Sequence, residues 1–179
     1  DIRPATKEQV ESLGARFVEM SLERESTEDA GGYARQLSDD AQARALETIG
    51  AHIKNMDVVI CTALIPGKPA PRLVTEDMVR DMRAGAVIVD LAAEAGGNCE
   101  LTRPGEDVEQ HGVTIIGPRN LPATLPTHAS QMYGRNVSTF LAHLVKEGKL
   151  ELDFDDPITG AMCVTHDGEV RHEGTRKLL

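Results

Sequence analysis

The chain has 179 residues, 29 acidic against 19 Lys and Arg, a formal charge of −10 and 40% hydrophobic residues. That length and apolar content suit one soluble globular domain with a sizeable core, and an acidic balance without a Lys/Arg cluster excludes a phosphate-backbone partner, so nucleic acid is set aside. No apolar run approaches the roughly 18 residues of a spanning helix, and residues 1–4 do not read as a signal peptide.

In chain order, residues 6–13 open on Thr6, carry Val10 and Leu13 at helical spacing and stop at Gly14, which predicts a helix; 16–20, with Phe17 and Val18, follow as a candidate strand. Residues 21–32 are polar and acidic and end in Gly31 and Gly32, a loop, after which 34–54 place Leu37, Ala41, Ala45 and Ile49 on one side of a long helix. The β-branched run in 57–63 predicts a strand buried on both faces, and 86–91 and 113–117 repeat that character. Between the first two, Thr75 caps a short helix over 75–82 with Glu76 and Asp77 in its first turn, so the unit is βαβ. Residues 128–145 predict a further helix, with Met132, Val137, Phe140, Leu141 and Leu144; 150–155 and 161–170 read as strands, the second containing an Asp167-Gly168 turn. With no Trp, two Tyr and three Phe, the core is aliphatic.

Continuous apolar strands alternating with helices give an α/β fold, a doubly wound parallel sheet of the Rossmann type, which binds ligands beyond the carboxyl ends of its strands. Neither GxGxxG nor GxxxxGK[ST] is present. Asp1 stands directly before a helix, where the end of a second Rossmann strand would place the acid that holds an adenosine ribose. The expectation is therefore a sheet lacking its first strand and Gly-rich turn in this chain. Residues 1–146 are expected to form the partial nucleotide-binding domain, and 147–179 a separate C-terminal segment.

Three clusters suit chemistry. Asp1, Ile2 and Arg3 combine a carboxylate for two adjacent hydroxyls with a planar guanidinium for a purine, although on these residues alone a solvated terminus is the favoured reading. Gly31, Gly32 and Tyr33 allow close backbone approach and supply one flat lid, or serve as a loop-to-helix junction. Residues 62–71 begin at a strand's carboxyl end with Thr62, Ala63 and Leu64 and include Pro66, Gly67, Pro69 and Pro71, a stiff backbone suited to presenting peptide groups or to plain connection. After the next strand, Asp90 and Glu94 are candidate acids facing the same crevice, against a solvated or hydrogen-bonded alternative, and Gly96, Gly97, Asn98 and Cys99 follow. Cys61, Cys99 and Cys163 are odd in number and widely spaced, and the histidines show no HxxxH or HExxH pattern, so neither a disulfide framework nor a metal site is expected; a reducing cytosol fits.

At these stretches, 1–14, 31–34, 62–71 and 89–99, the chain resembles the NAD(H)-binding domain of the alpha subunit of proton-translocating NAD(P) transhydrogenases, over about 1–172. The related alanine dehydrogenases share the Pro-Gly turn and later Gly-Gly, but the run from Ile65 to Pro71 and the Gly-Gly-Asn-Cys motif are closer to the transhydrogenases. The resemblance implies cofactor contacts at Asp1, Ile2, Arg3, Gly32, Tyr33, Thr62, Ala63 and Leu64, with no catalytic side chain and no metal. It implies direct hydride transfer from NAD(H) here to NADP(H) on a partner domain or beta subunit, in a complex at the cytoplasmic face of the inner membrane. It also implies a homodimer and reliance on the N-terminal part of the subunit, without which these residues should bind NAD(H) poorly. An alanine-dehydrogenase-type oxidoreductase, with an acid near Glu94, and a non-catalytic NAD-sensing module are the competing readings.

Overall fold

The computed structural model describes residues 6–20, 38–65 and 67–179. The chain divides into two compact units, the first ending at Asn120 and the second spanning Leu121–Leu179.

In the first unit, α1 (Thr6–Ser12) is followed by residues 15–20, which form no strand. The strand expected at 16–20 is therefore not made, because no neighbouring strand among the described residues supplies its ladder hydrogen bonds. Helix α2 (Asp39–Ile53) starts at Ser38, whose hydroxyl accepts the Ala41 N–H at 3.3 Å. It buries Ala41, Ala45 and Ile53; of the helix expected over 34–54, residues 34–37 lie outside the described residues. Strand β1 (Val58–Cys61) then leads through residues 62–75 to α3 (Glu76–Arg80), capped by Thr75 as expected, and on to β2 (Val87–Asp90).

β1 and β2 pair in parallel with Cys61 opposite Asp90, and β2 pairs in parallel with β4 (Val113–Ile116). A strand that sequence patterning did not reveal, β3 (Asp107–Gln110), pairs antiparallel with β4 and completes the order β1-β2-β4-β3. Its one apolar residue among three polar ones suits an edge strand and carries little hydrophobic signal. His111 and Gly112, with φ of 54° and 77°, form the tight turn that joins the pair.

One face of the sheet carries the core. Ile88, Val113 and Ile115 are fully buried against Ile53 of α2 and Val79 of α3, each worth about 2–3 kcal/mol of transfer free energy. The other face is different at β1: Val58 is 59% and Ile60 64% exposed, so the expectation that this strand is buried on both faces fails among the described residues. Among the described residues β1 pairs on one side, with β2.

The second unit holds α4 (Leu121–Thr124) and α5 (Pro126–Leu144), the latter matching the predicted helix with Pro126 at its first turn. β5 (Val145–Lys146) and β6 (Lys149–Leu150) form a small hairpin. The expected strand over 150–155 is thereby reduced to Leu150. Asp153 accepts the Asp155 N–H at 3.0 Å, and Asp156 caps α6 (Pro157–Met162), accepting the N–H groups of Ile158 and Thr159 at 3.1 and 2.8 Å. Local carboxylate bonds thus outcompete a ladder. The strand expected over 161–170 begins inside α6 and narrows to the hairpin β7 (Thr165–His166) and β8 (Glu169–Val170), with the Asp167-Gly168 turn where expected; α7 (Glu173–Arg176) follows. No helix among the described residues is long and apolar enough to cross a membrane.

Candidate functional site

The carboxyl ends of β1 and β2 lie side by side because the strands are parallel and in register, so the loops that leave them, 62–71 and 91–102, occupy one edge of the sheet. The loops are stitched together. Leu91 donates its N–H to the Cys61 carbonyl at 2.9 Å, Ala70 to Ala95 at 2.8 Å, and Leu73 and Val74 both donate to the Asn98 carbonyl. Arg72 adds a side-chain bond to the Cys99 carbonyl at 2.8 Å.

Two fully buried polar residues hold this arrangement. Asp90 lies on the same side of β2 as Ile88, and its carboxylate accepts from Ala92 N–H at 3.1 Å, Cys99 N–H at 3.0 Å and the Thr102 hydroxyl at 2.7 Å. Three donors in a water-free setting satisfy the charge. Asn98 uses both ends of its amide: Oδ1 accepts the Ala63 N–H at 3.0 Å, and Nδ2 donates to the carbonyls of Ala63 and Pro71 at 2.9 and 2.7 Å. The turn before it requires Gly97, whose φ of 79° is left-handed and where a Cβ would stand 2.8 Å from Asp90 Oδ2.

The structure separates the two candidate acids, and both take the hydrogen-bonded alternative. Asp90 is 0% exposed and points into the protein, so it is a structural acceptor and not a crevice acid. Glu94 is exposed, and its Oε2 accepts the Asn120 N–H at 3.1 Å, tying the loop after β2 to the segment after β4. The thiols of Cys61 and Cys99 are buried in the same layer; burial pushes Cys61 up to about 12, with the Asp90 charge adding to it, and burial likewise raises Cys99. Both are therefore poor nucleophiles near neutral pH.

Of the sequence-predicted contacts, Thr62, Ala63 and Leu64 sit together at the end of β1. Thr62 and Leu64 are exposed, and among the described residues their backbone N–H and C=O groups take no protein partner; those of Ala63 are both taken by Asn98. Exposed strand-end peptides of this kind suit a polar ligand that crosses the sheet edge. Asp1, Ile2, Arg3, Gly32 and Tyr33 lie outside the described residues. Asn98 itself was missed from sequence as an organiser of the site: an Asn after two glycines reads as an ordinary turn, and its partner Ala63 is 35 positions away.

Comparison with known proteins bears on what this edge does. Residues 1–173 match the family described as alanine dehydrogenase/PNT, C-terminal domain. The chain is 45% identical over 175 residues to an NAD(P) transhydrogenase alpha subunit polypeptide of Rhodospirillum rubrum, covering 96% of this chain and 46% of that protein. It is 34% identical over 132 residues to the alanine dehydrogenase of Staphylococcus saprophyticus, covering 71% of this chain and 36% of that protein. Among solved structures, a transhydrogenase from Sinorhizobium meliloti superposes with a TM-score of 0.71 at 40% identity, covering 95% of this chain and 44% of the other. The chain thus spans less than half the length of these relatives.

Proposed function

Because the chain belongs to the alanine dehydrogenase/PNT C-terminal domain family, we propose that it is the NAD(H)-binding part of a proton-translocating transhydrogenase. In that reading hydride passes between NAD(H) at this domain and NADP(H) on a partner domain or beta subunit. The observation that carries it is the 45% identity across 96% of the chain to a transhydrogenase alpha subunit, against 34% across 71% to an alanine dehydrogenase.

A bound nicotinamide supplies the hydride donor or acceptor. What the chain's own residues contribute is placement. Thr62 and Leu64 offer backbone groups at the sheet edge, flanking a peptide that Asn98 holds by hydrogen bonds made within the chain itself, an arrangement that lowers the ordering cost of binding. Asp1 holds the adenosine ribose, Ile2 and Arg3 flank it, and Gly32 and Tyr33 belong to a loop that closes over the nucleotide and excludes water. No acid or base is needed for direct transfer, and the two acids nearest the strand ends are engaged in structure: Asp90 by three donors and Glu94 by Asn120. The working protein in this proposal includes the N-terminal part of the same subunit, a second copy of the subunit and the NADP(H)-binding partner. The whole sits at the cytoplasmic face of the inner membrane, with 147–179 returning toward the N-terminal domain.

The experiment uses the complete natural protein with its partner subunit, NADH deuterated at the transferable position, and NADP+. Direct transfer places deuterium on NADPH, and label lost to water would overturn direct transfer; reduction of NAD+ driven by L-alanine with release of ammonia would replace this reading with the alanine-dehydrogenase one. Binding of NADH without either reaction would favour the sensing module.

A further inference from the structure

We propose that Asn98 is a positioning residue of the nucleotide site: it engages the N–H and C=O of Ala63, so that the backbone groups of Thr62 and Leu64, and not those of Ala63, meet the ligand. This rests on the NAD(H) reading of the β1 edge.

The argument begins with chemistry. Ala63 exposes one donor and one acceptor in a segment that has already left the β ladder, and Pro71 exposes a second acceptor at the far end of the same loop. Only a carboxamide offers one acceptor and two donors on a single short side chain. Asn98 meets all three groups, at 3.0, 2.9 and 2.7 Å, and is 0% exposed, so water does not compete. Asn98 is in turn fixed. Its own carbonyl accepts Leu73 and Val74 N–H groups at 2.8 and 3.1 Å, and the next amide, Cys99, is anchored on Asp90.

The loop between Ala63 and Pro71 is therefore closed at both ends by one side chain that stands on the neighbouring strand's loop. Its effect on the ligand is exclusion as well as support. With the polar groups of Ala63 occupied, the ligand-facing donors and acceptors alternate along the chain at Thr62 and Leu64. Asn98 touches no ligand in this arrangement; it acts through the peptides it holds.

The test uses NADH as the probe and the complete natural protein. Asn98→Asp keeps an acceptor for the Ala63 N–H but loses both donors and sets a carboxylate against two carbonyls. Its NADH Kd should rise about tenfold or more, with KM for NADH rising in parallel and kcat at saturation held near wild type. A folded Asn98→Asp with unchanged Kd, while wild type binds NADH, overturns this assignment and leaves the NAD(H) reading standing; a wild type that does not bind NADH removes both. Should the variant not fold, wild-type amide exchange decides. Ala63 N–H should exchange slowly with and without NADH, and the Thr62 and Leu64 amide resonances should shift on binding. Fast exchange at Ala63, or no shift at Thr62 and Leu64, overturns the assignment.

Discussion

The Asp90 carboxylate accepts the Thr102 hydroxyl at 2.7 Å through the same oxygen, Oδ2, that takes the Cys99 N–H at 3.0 Å. That oxygen also sets the size limit at Gly97, where an added Cβ would come within 2.8 Å of it and 3.0 Å of Thr102 Cβ. Gly96, with φ of 101°, has open space around the corresponding position. Gly97→Ala should therefore cost about 3 kcal/mol, the left-handed backbone and the overlap together, whereas Gly96→Ala should cost about 1 kcal/mol for the backbone alone. Urea unfolding of both variants checks the ranking; equal losses would mean that the carboxylate gives way freely.

The buried thiols make a second prediction. With Cys61 pushed up to about 12 from 9.0, the folded protein keeps its proton where the unfolded chain has lost it. The folded state then binds more protons than the unfolded one, so this contribution to stability is full below about pH 9 and is lost as pH rises from there toward 12. Thiol titration with an aromatic disulfide at pH 8 should modify the partly exposed Cys163 first, and Cys61 and Cys99 only on unfolding. Fast native reaction at all three cysteines would contradict the packing described.

A third prediction concerns the second unit. Asp156 is held down to about 2 from 3.8, first by the Thr159 N–H and then by His143, whose Nε2 lies 2.9 Å away. Because the folded value is depressed, its contribution is present above about pH 4 and disappears as pH falls toward 2. The urea midpoint of wild type should fall over that window, and Asp156→Asn should show a flatter acid limb. Parallel acid limbs would assign the acid sensitivity elsewhere.

Glu94 separates the two enzymatic readings. In Glu94→Gln the amide oxygen can still accept the Asn120 N–H, so the loop contact survives while the titratable group is gone. Under direct hydride transfer, the isotope-sensitive step with deuterated NADH should stay within about threefold of wild type in single turnover. A general acid or base would lose roughly 10²–10⁴ on removal. A loss of that size, with nucleotide affinity intact, would move Glu94 into the catalytic role that an alanine dehydrogenase demands.

How much of this was legible in the sequence depends on the range of the interaction concerned. The helix capped by Thr75, the strands at 58–61, 87–90 and 113–116, the parallel pairing and the Asp167-Gly168 turn all follow from patterns within one element, where side-chain period and capping chemistry act over a few residues. Thr62, Ala63 and Leu64 could be placed at a strand's carboxyl end for the same reason. Residues 16–20 and 150–155 carried strand-like composition, but the first has no ladder partner among the described residues and the second is diverted by nearby carboxylates, and composition is silent on both.

The roles of Asp90 and Asn98 were decided only by tertiary structure. Along the chain, Asp90 is an acid at a strand end that could face the crevice or be satisfied by hydrogen bonds; in the fold it shares a side with Ile88, and donors from Ala92, Cys99 and Thr102 make it internal. Asn98 meets Ala63 across 35 residues because β1 and β2 happen to end in register, a juxtaposition that no local pattern encodes. A buried polar group is tolerated only where its partners are assembled around it, and those partners come from the folded sheet edge and not from its neighbours in sequence.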